Sequence, residues 1–254
     1  MAGSRSPLYW LQFVWLNLWF WTIAPLVTAI FFVCGYLLVG GHWWITRDWR
    51  RSQLILRRTI SWYGATILRL PWPWIRIQFV DLSPDEKPPF VFVSNHPSSS
   101  DGYLMAFLPF ECVQVLNIWP AHVPIIRFIA HHAGYLKVRE MPFEDFLAIG
   151  SELLRGRCSV IAFPEGTRSG HRAMGPFHGS AFRLAQHNQV KIVPIVIAGN
   201  QDMPPRGSAW LRPGRVVVTK LPALNPETFV GINPYLLKNQ VRERIQKYLA
   251  EHPV

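Results

Sequence analysis

The chain has 254 residues, half of them hydrophobic and 14% aromatic, with a formal net charge of +11. That length holds one globular domain with a full core plus an appendage. The basic, aromatic balance suits an anionic membrane surface, and the sequence lacks the helix-turn-helix, zinc-finger and aromatic-strand signatures that would point to nucleic acid. The three cysteines, Cys34, Cys112 and Cys158, are odd in number, widely spaced and set in apolar stretches. They argue against a disulfide framework or a zinc site and for a reducing compartment.

Residues 6–46 contain no Asp, Glu, Lys or Arg and hold six of the twelve tryptophans. A signal peptide has an apolar core of only about 7 to 15 residues, so this segment reads as a retained membrane anchor. One crossing takes about 20 residues, which makes the stretch too long for one span and short for two full ones. Pro25 falls near its middle, and the flanks carry Arg5 on one side and Arg47, Arg50 and Arg51 on the other. Positive charge at both ends predicts a helical hairpin or bent pair, with both ends and the following domain on the cytoplasmic face.

Residues 47–74 form a basic juxtamembrane helix and linker. From Arg47 to Arg76 there are seven arginines against one aspartate. Such a run fits acidic lipid head groups, and it fits an ordinary solvated helix face as well. Pro71-Trp72-Pro73-Trp74 breaks the pattern, and residues 75–80 alternate like a strand, so the main domain spans 75–254.

Residues 90–93, Phe-Val-Phe-Val, read as a buried strand, and Asn95-His96-Pro97-Ser98-Ser99-Ser100-Asp101 follows it. Active residues of open α/β sheets gather just beyond strand carboxyl ends. Proline suits the first position of a helix and pushes the residue before it toward extended backbone, which predicts a helix opening at Pro97 and capped by His96. Asp101 would then lie one turn in, leaning back toward His96. A carboxylate so placed fixes the imidazole tautomer and makes the histidine a general base. The same spacing also suits a solvated histidine beside an acid favoured by the helix dipole.

Beyond this motif come a helix over 123–133, a strand over 135–138, a helix over 143–155 stopped by Gly156, and a strand over 158–163. A helix over 176–188, strands over 191–198 and 214–220, and an amphipathic helix over 234–251 complete the chain. The alternation predicts an α/β fold with a largely parallel central sheet flanked by helices, carrying the N-terminal hydrophobic helical anchor. The strand at 158–163 delivers Phe163-Pro164-Glu165-Gly166-Thr167-Arg168-Ser169, in which Gly166 allows close backbone approach, Thr167 and Ser169 offer hydroxyls, and Arg168 offers a planar fork matched to phosphate. An anion cradle and a polar surface turn both fit that loop. His131-His132 does not read as a metal site, since adjacent helical histidines point apart.

The NHxxxxD block, the FPEGTRS block and Ile192-Val193-Pro194-Ile195-Val196-Ile197, in that order, resemble the glycerolipid acyltransferase family over residues 90–200. The resemblance implies a membrane-bound enzyme moving a fatty acyl group from acyl-CoA or acyl carrier protein to a lysophospholipid hydroxyl, 1-acylglycerol-3-phosphate above all. It implies that His96 and Asp101 are catalytic and that Glu165, Gly166, Thr167 and Arg168 bind or shape the site for the acceptor phosphate. A further family block ends in an acceptor-binding arginine, matched here by Arg139 in Gly134-Tyr135-Leu136-Lys137-Val138-Arg139, one place early. Another lysolipid or a hydroxylated acceptor fits the same motifs, and a non-catalytic protein binding anionic lipid is the rival of another class. Thioesters are already activated, so the acyl donor is a co-substrate and neither cofactor nor metal is called for. Backbone N–H groups after Pro97 are expected to steady the oxyanion.

Overall fold

In a computed structural model of the chain, residues 6–116 and 124–254 are described. Position 123, the first of the helix expected over 123–133, and the flanking Arg5 lie outside them.

The first helix, α1, runs unbroken over Pro7–Thr46. At 1.5 Å per residue that is ~60 Å, about twice the hydrocarbon thickness of a bilayer. The break expected at Pro25 is absent. A proline withdraws one backbone donor, and here the next turn is braced by the Thr28 hydroxyl, which bonds Ala24 O and Tyr63. The chain turns back instead at Arg47, in the left-handed region at φ 56°, and at Asp48, whose carboxylate caps α2 (Trp49–Arg69) through the Arg51 N–H. Contacts of His42 with Ser52, Thr28 with Tyr63 and Trp19 with Leu70 show the two helices running antiparallel. The hairpin therefore joins the apolar segment to the basic one.

Arginines of α2 divide between surface and interior. Arg50 pairs with Glu152 at the surface. Arg57, its side chain only 11% exposed, pairs with Glu111 at 2.7 Å and donates to Ala133 O, so it staples α2 to the domain and is not available to lipid.

Among the described residues seven strands form one sheet in the order β1-β7-β6-β2-β5-β3-β4. They are β1 (Ile75–Asp81), β2 (Phe90–Ser94), β3 (Cys112–Leu116), β4 (Leu136–Lys137), β5 (Ser159–Ala162), β6 (Lys191–Ala198) and β7 (Gly214–Lys220). All pairings are parallel except β6 with β7. Strand β3 lies in a segment rich in apolar residues for which the sequence suggested no element.

Side chains alternate across the sheet as the pleat requires. Val91, Val93, Val160, Ala162, Ile192 and Val196 face α5 (Phe143–Arg155), α6 (Ser180–Asn188) and α7 (Pro234–Glu251), meeting Phe146, Phe182, Leu184, Leu237 and Ile245. Phe90, Phe92, Ile161, Val193 and Ile195 face the other way, meeting Leu16 of α1, Leu68 of α2, and Leu104 of the short helix α3 (Asp101–Leu104). Helix α4 (Pro124–His132) precedes β4. Asn17 ties α1 to this second face by a reciprocal pair of hydrogen bonds with the Leu211 backbone, at 2.9 and 2.8 Å.

Strand β6 ends at Gly199, where φ is +79° and an added Cβ would stand 2.1 Å from Arg215 O. We expect Gly199→Ala to lower stability by at least about 2 kcal/mol, since left-handed strain and a backbone clash combine. Urea denaturation checks this, and a midpoint unchanged from the parent would contradict it.

Candidate active site

Strands β2 and β5 are adjacent and parallel, with Val93 beside Ala162, so the loops that follow them emerge together at one edge of the sheet. His96 stands on the first loop and residues 163–169 form the second. Asn95 fixes the first loop by bonding both N–H and C=O of Ile197 on β6, each at 2.8 Å.

His96 Nδ1 lies 2.7 Å from Asp101 Oδ2. The route to this pairing differs from the sequence expectation, because no helix opens at Pro97: α3 starts at Asp101, after a turn over residues 98–100. Short polar side chains compete with helix formation by bonding nearby backbone. Here the Ser98 N–H donates to Asp101 Oδ2 at 2.8 Å, and Ser98 and Ser100 bond the carbonyls of Pro204 and Met203. The Ser98 N–H is thereby committed to Asp101 and not to an oxyanion.

The Asp101 side chain is fully buried. Its second oxygen, Oδ1, accepts a short hydrogen bond from Asn200 Nδ2, and Asn200 is itself 2% exposed. Burial pushes the Asp101 carboxyl above its usual range, and the hydrogen bonds from His96, Ser98 and Asn200 pull against that. With Asp101 ionised, the proton of the pair sits on Nδ1, which leaves Nε2 as the basic nitrogen. The ring also packs on Phe163, centroids 4.7 Å apart.

Glu165 is placed differently from a ligand-facing residue. Only 6% exposed, it accepts the His96 N–H at 2.7 Å and the Gly175 N–H at 2.9 Å. It braces the two loops from behind, and burial pushes its carboxyl upward while the two backbone bonds oppose. The Ser169 and Gly170 N–H groups bond the carbonyls of His96 and Pro97, completing the clamp. Arg242 of α7 holds the far side by donating to Met174 O and Gly175 O. Gly166 sits at φ +67°, a conformation that glycine adopts without strain.

His96, Gly166, Thr167, Arg168 and Arg139 all line one cleft of about 750 Å³. Six of the seven residues singled out in the sequence are thus at or beside the cleft with Asp101 behind His96, while Glu165 supports from below. Sequence reasoning missed Asn200 and Arg242, whose contacts cross roughly a hundred and about seventy residues of chain. The cleft can hold an anion near Arg168 and Arg139 and take a proton at Nε2.

Asn200→Asp would set a second carboxylate against Asp101 and raise the folded-state pKa of the pair further. A carboxyl pKa above its unfolded value means the folded state binds the extra proton, so stability is full at low pH and falls as pH rises past the ordinary carboxylate value. The variant should therefore match the parent near pH 4 and be less stable at pH 7.5, by urea midpoint. A deficit independent of pH would contradict this electrostatic account.

The geometry can be set beside known proteins. A family model described as Acyltransferase matches residues 75–198. The mouse 1-acyl-sn-glycerol-3-phosphate acyltransferase alpha is 34% identical over 64% of this chain and 59% of its own length. The Arabidopsis thaliana 1-acyl-sn-glycerol-3-phosphate acyltransferase LPAT1, chloroplastic, is 30% identical over 74% of this chain. The chain thus spans little more than half the length of these relatives, 59% and 53%. The crystal structure of the 1-acyl-sn-glycerophosphate acyltransferase PlsC from Thermotoga maritima shares the fold, with TM-score 0.71 at 22% identity over 95% of this chain and 97% of that one. The matched domain, the relatives and the fold agree: residues 75–198 form an Acyltransferase domain, and the chain is similar to the 1-acyl-sn-glycerol-3-phosphate acyltransferases.

Proposed function

We propose that the protein transfers a fatty acyl group from a thioester donor to the free hydroxyl of a lysophospholipid, 1-acylglycerol-3-phosphate foremost, yielding phosphatidate and a thiol. The observation that carries this reading is the His96–Asp101 pair, 2.7 Å apart with the carboxylate buried, at a cleft that also presents Arg168, Thr167 and Arg139. His96 Nε2 takes the acceptor hydroxyl proton as the oxygen attacks the thioester carbonyl. Collapse of the tetrahedral intermediate breaks the C–S bond, and the imidazolium returns the proton to the departing sulfur. Asp101 holds the ring and stabilises the imidazolium, while Arg168 and Arg139 bind the acceptor phosphate through charge-assisted hydrogen bonds. The names of the relatives support this acceptor.

The anchor supports the same reading. Helix α1 is long and apolar enough to cross a membrane, with only 11% of its most apolar stretch buried in the protein. Leu8, Trp10, Trp15, Leu37, Trp44 and Ile45 are among its exposed side chains, an arrangement costly in water and favourable in lipid. Arg47, Arg50 and Arg51 at its base favour the cytoplasmic face. A lysolipid can then reach the cleft while its chain stays in the bilayer.

His96→Ala should lower lysophosphatidate-dependent thiol release by about 10²- to 10⁴-fold, and Asp101→Asn by a comparable factor, because the base and its tautomer are lost. Arg168→Ala should raise KM for lysophosphatidate about tenfold or more, the loss of one charge-assisted contact of roughly 1.5–3 kcal/mol. A His96→Ala protein that kept most of its transfer would sink the proposal.

A further inference from the structure

The cleft holds more positive charge than one acceptor phosphate uses. Among the described residues five cationic side chains line it, Arg139, Arg168, Arg183, Arg206 and Lys238, and no Asp or Glu does. A phosphate monoester carries about 1.5 to 2 negative charges at neutral pH. That leaves roughly three positive charges unbalanced when a lysophosphatidate is bound.

Two of the five are set apart by position. Arg183 belongs to α6 and Lys238 to α7, the helices on the sheet face opposite α1 and α2. Neither is paired with a carboxylate among the described residues. Each lies over an aromatic ring instead, Arg183 Cζ 5.3 Å from the Phe143 centroid and Lys238 Nζ 4.6 Å from that of Tyr235. A ring steadies a cation without consuming its N–H donors, so both remain able to bond an anion. Glu140, the acid beside Arg139, is turned to Lys137 at 3.4 Å.

The geometry points to a second anion subsite on this wall, in which Arg183 and Lys238 take the phosphates of a coenzyme A thioester. This rests on the acyl-transfer reading above and adds the donor to it. Coenzyme A brings about four negative charges, from a diphosphate and a ribose monoester, close to the surplus left by the acceptor. The exposed Tyr235 ring, which also lines the cleft, offers a flat surface of the kind a purine stacks on. An acyl carrier protein is disfavoured because these cations lie within a concavity, where only its single-phosphate arm enters. The arrangement also separates the substrates, with the water-soluble donor arriving from the side away from the anchor and the lipid acceptor from the anchor side.

The test uses the full-length protein in lysophosphatidate-containing vesicles, with palmitoyl-CoA, the phosphate-free palmitoyl N-acetylcysteamine thioester and palmitoyl-acyl carrier protein as donors. The quantity read is the ratio of kcat/KM for palmitoyl-CoA to that for the phosphate-free thioester. R183A and K238A should each lower this ratio about tenfold and the double variant about a hundredfold, with the inhibition constant of free coenzyme A rising in parallel. The charge-keeping pair R183K and K238R should restore most of it. An unchanged ratio overturns the subsite. So does a rise confined to KM for lysophosphatidate, which would give these cations to the acceptor, or a loss confined to the carrier-protein donor, which would make this wall a protein-docking surface. Failure of the parent protein to transfer from any donor would instead overturn the acyl-transfer reading, and the subsite with it.

Discussion

A carboxylate with no access to water is the constraint around which this protein is arranged. Asp101 is tolerable in the interior only because three donors converge on it, the His96 ring, the Ser98 N–H and the Asn200 amide. Those donors come from three places: the loop after β2, the turn before α3 and the loop after β6. Their convergence requires the strand order that sets β2 between β5 and β6. The sheet, the loops and the imidazole geometry are thus one system, and a fault in any strand end reaches the histidine.

Glu165 performs a second task of the same kind. Its two oxygens bind backbone N–H groups of His96 and Gly175, and Arg242 secures the Gly175 segment in turn. The consequence is a His96 loop clamped on both sides, which is what the proposed role of His96 as a base requires. The two faces of the sheet then divide the remaining work. One face is covered by the hairpin of α1 and α2, with its unburied apolar surface, and the other by α5, α6 and α7, which carry the cations of the outer cleft wall.

Much of this was legible in the sequence because it is local. The Phe-Val-Phe-Val run, the strand before residues 163–169 and the five-residue step from His96 to Asp101 depend on neighbours within a few positions, and the α/β architecture followed from the alternation. What was misread depends on competition that spacing does not record. Pro25 looked like a break, but packing against α2 carries the helix through it. Pro97 looked like a helix start, but the serines after it are engaged by distant carbonyls and by Asp101. Glu165, to which the resemblance gave a part in binding or shaping the site, sits behind the loops with its carboxylate on two backbone donors. Asn200 and Arg242 carried no local signal, since their partners lie far off in sequence. Among the arginines of α2, only the fold separates Arg57, buried against Glu111, from the exposed Arg50.

The most direct test of this account is the protonation state of one ring. Nitrogen-15 NMR of protein labelled at histidine, with His96 assigned by substitution, reports each ring nitrogen separately. In the uncharged form of the ring, the account predicts the proton on Nδ1, strongly hydrogen-bonded to Asp101, and Nε2 bare. A proton on Nε2, with Nδ1 bare, would contradict it.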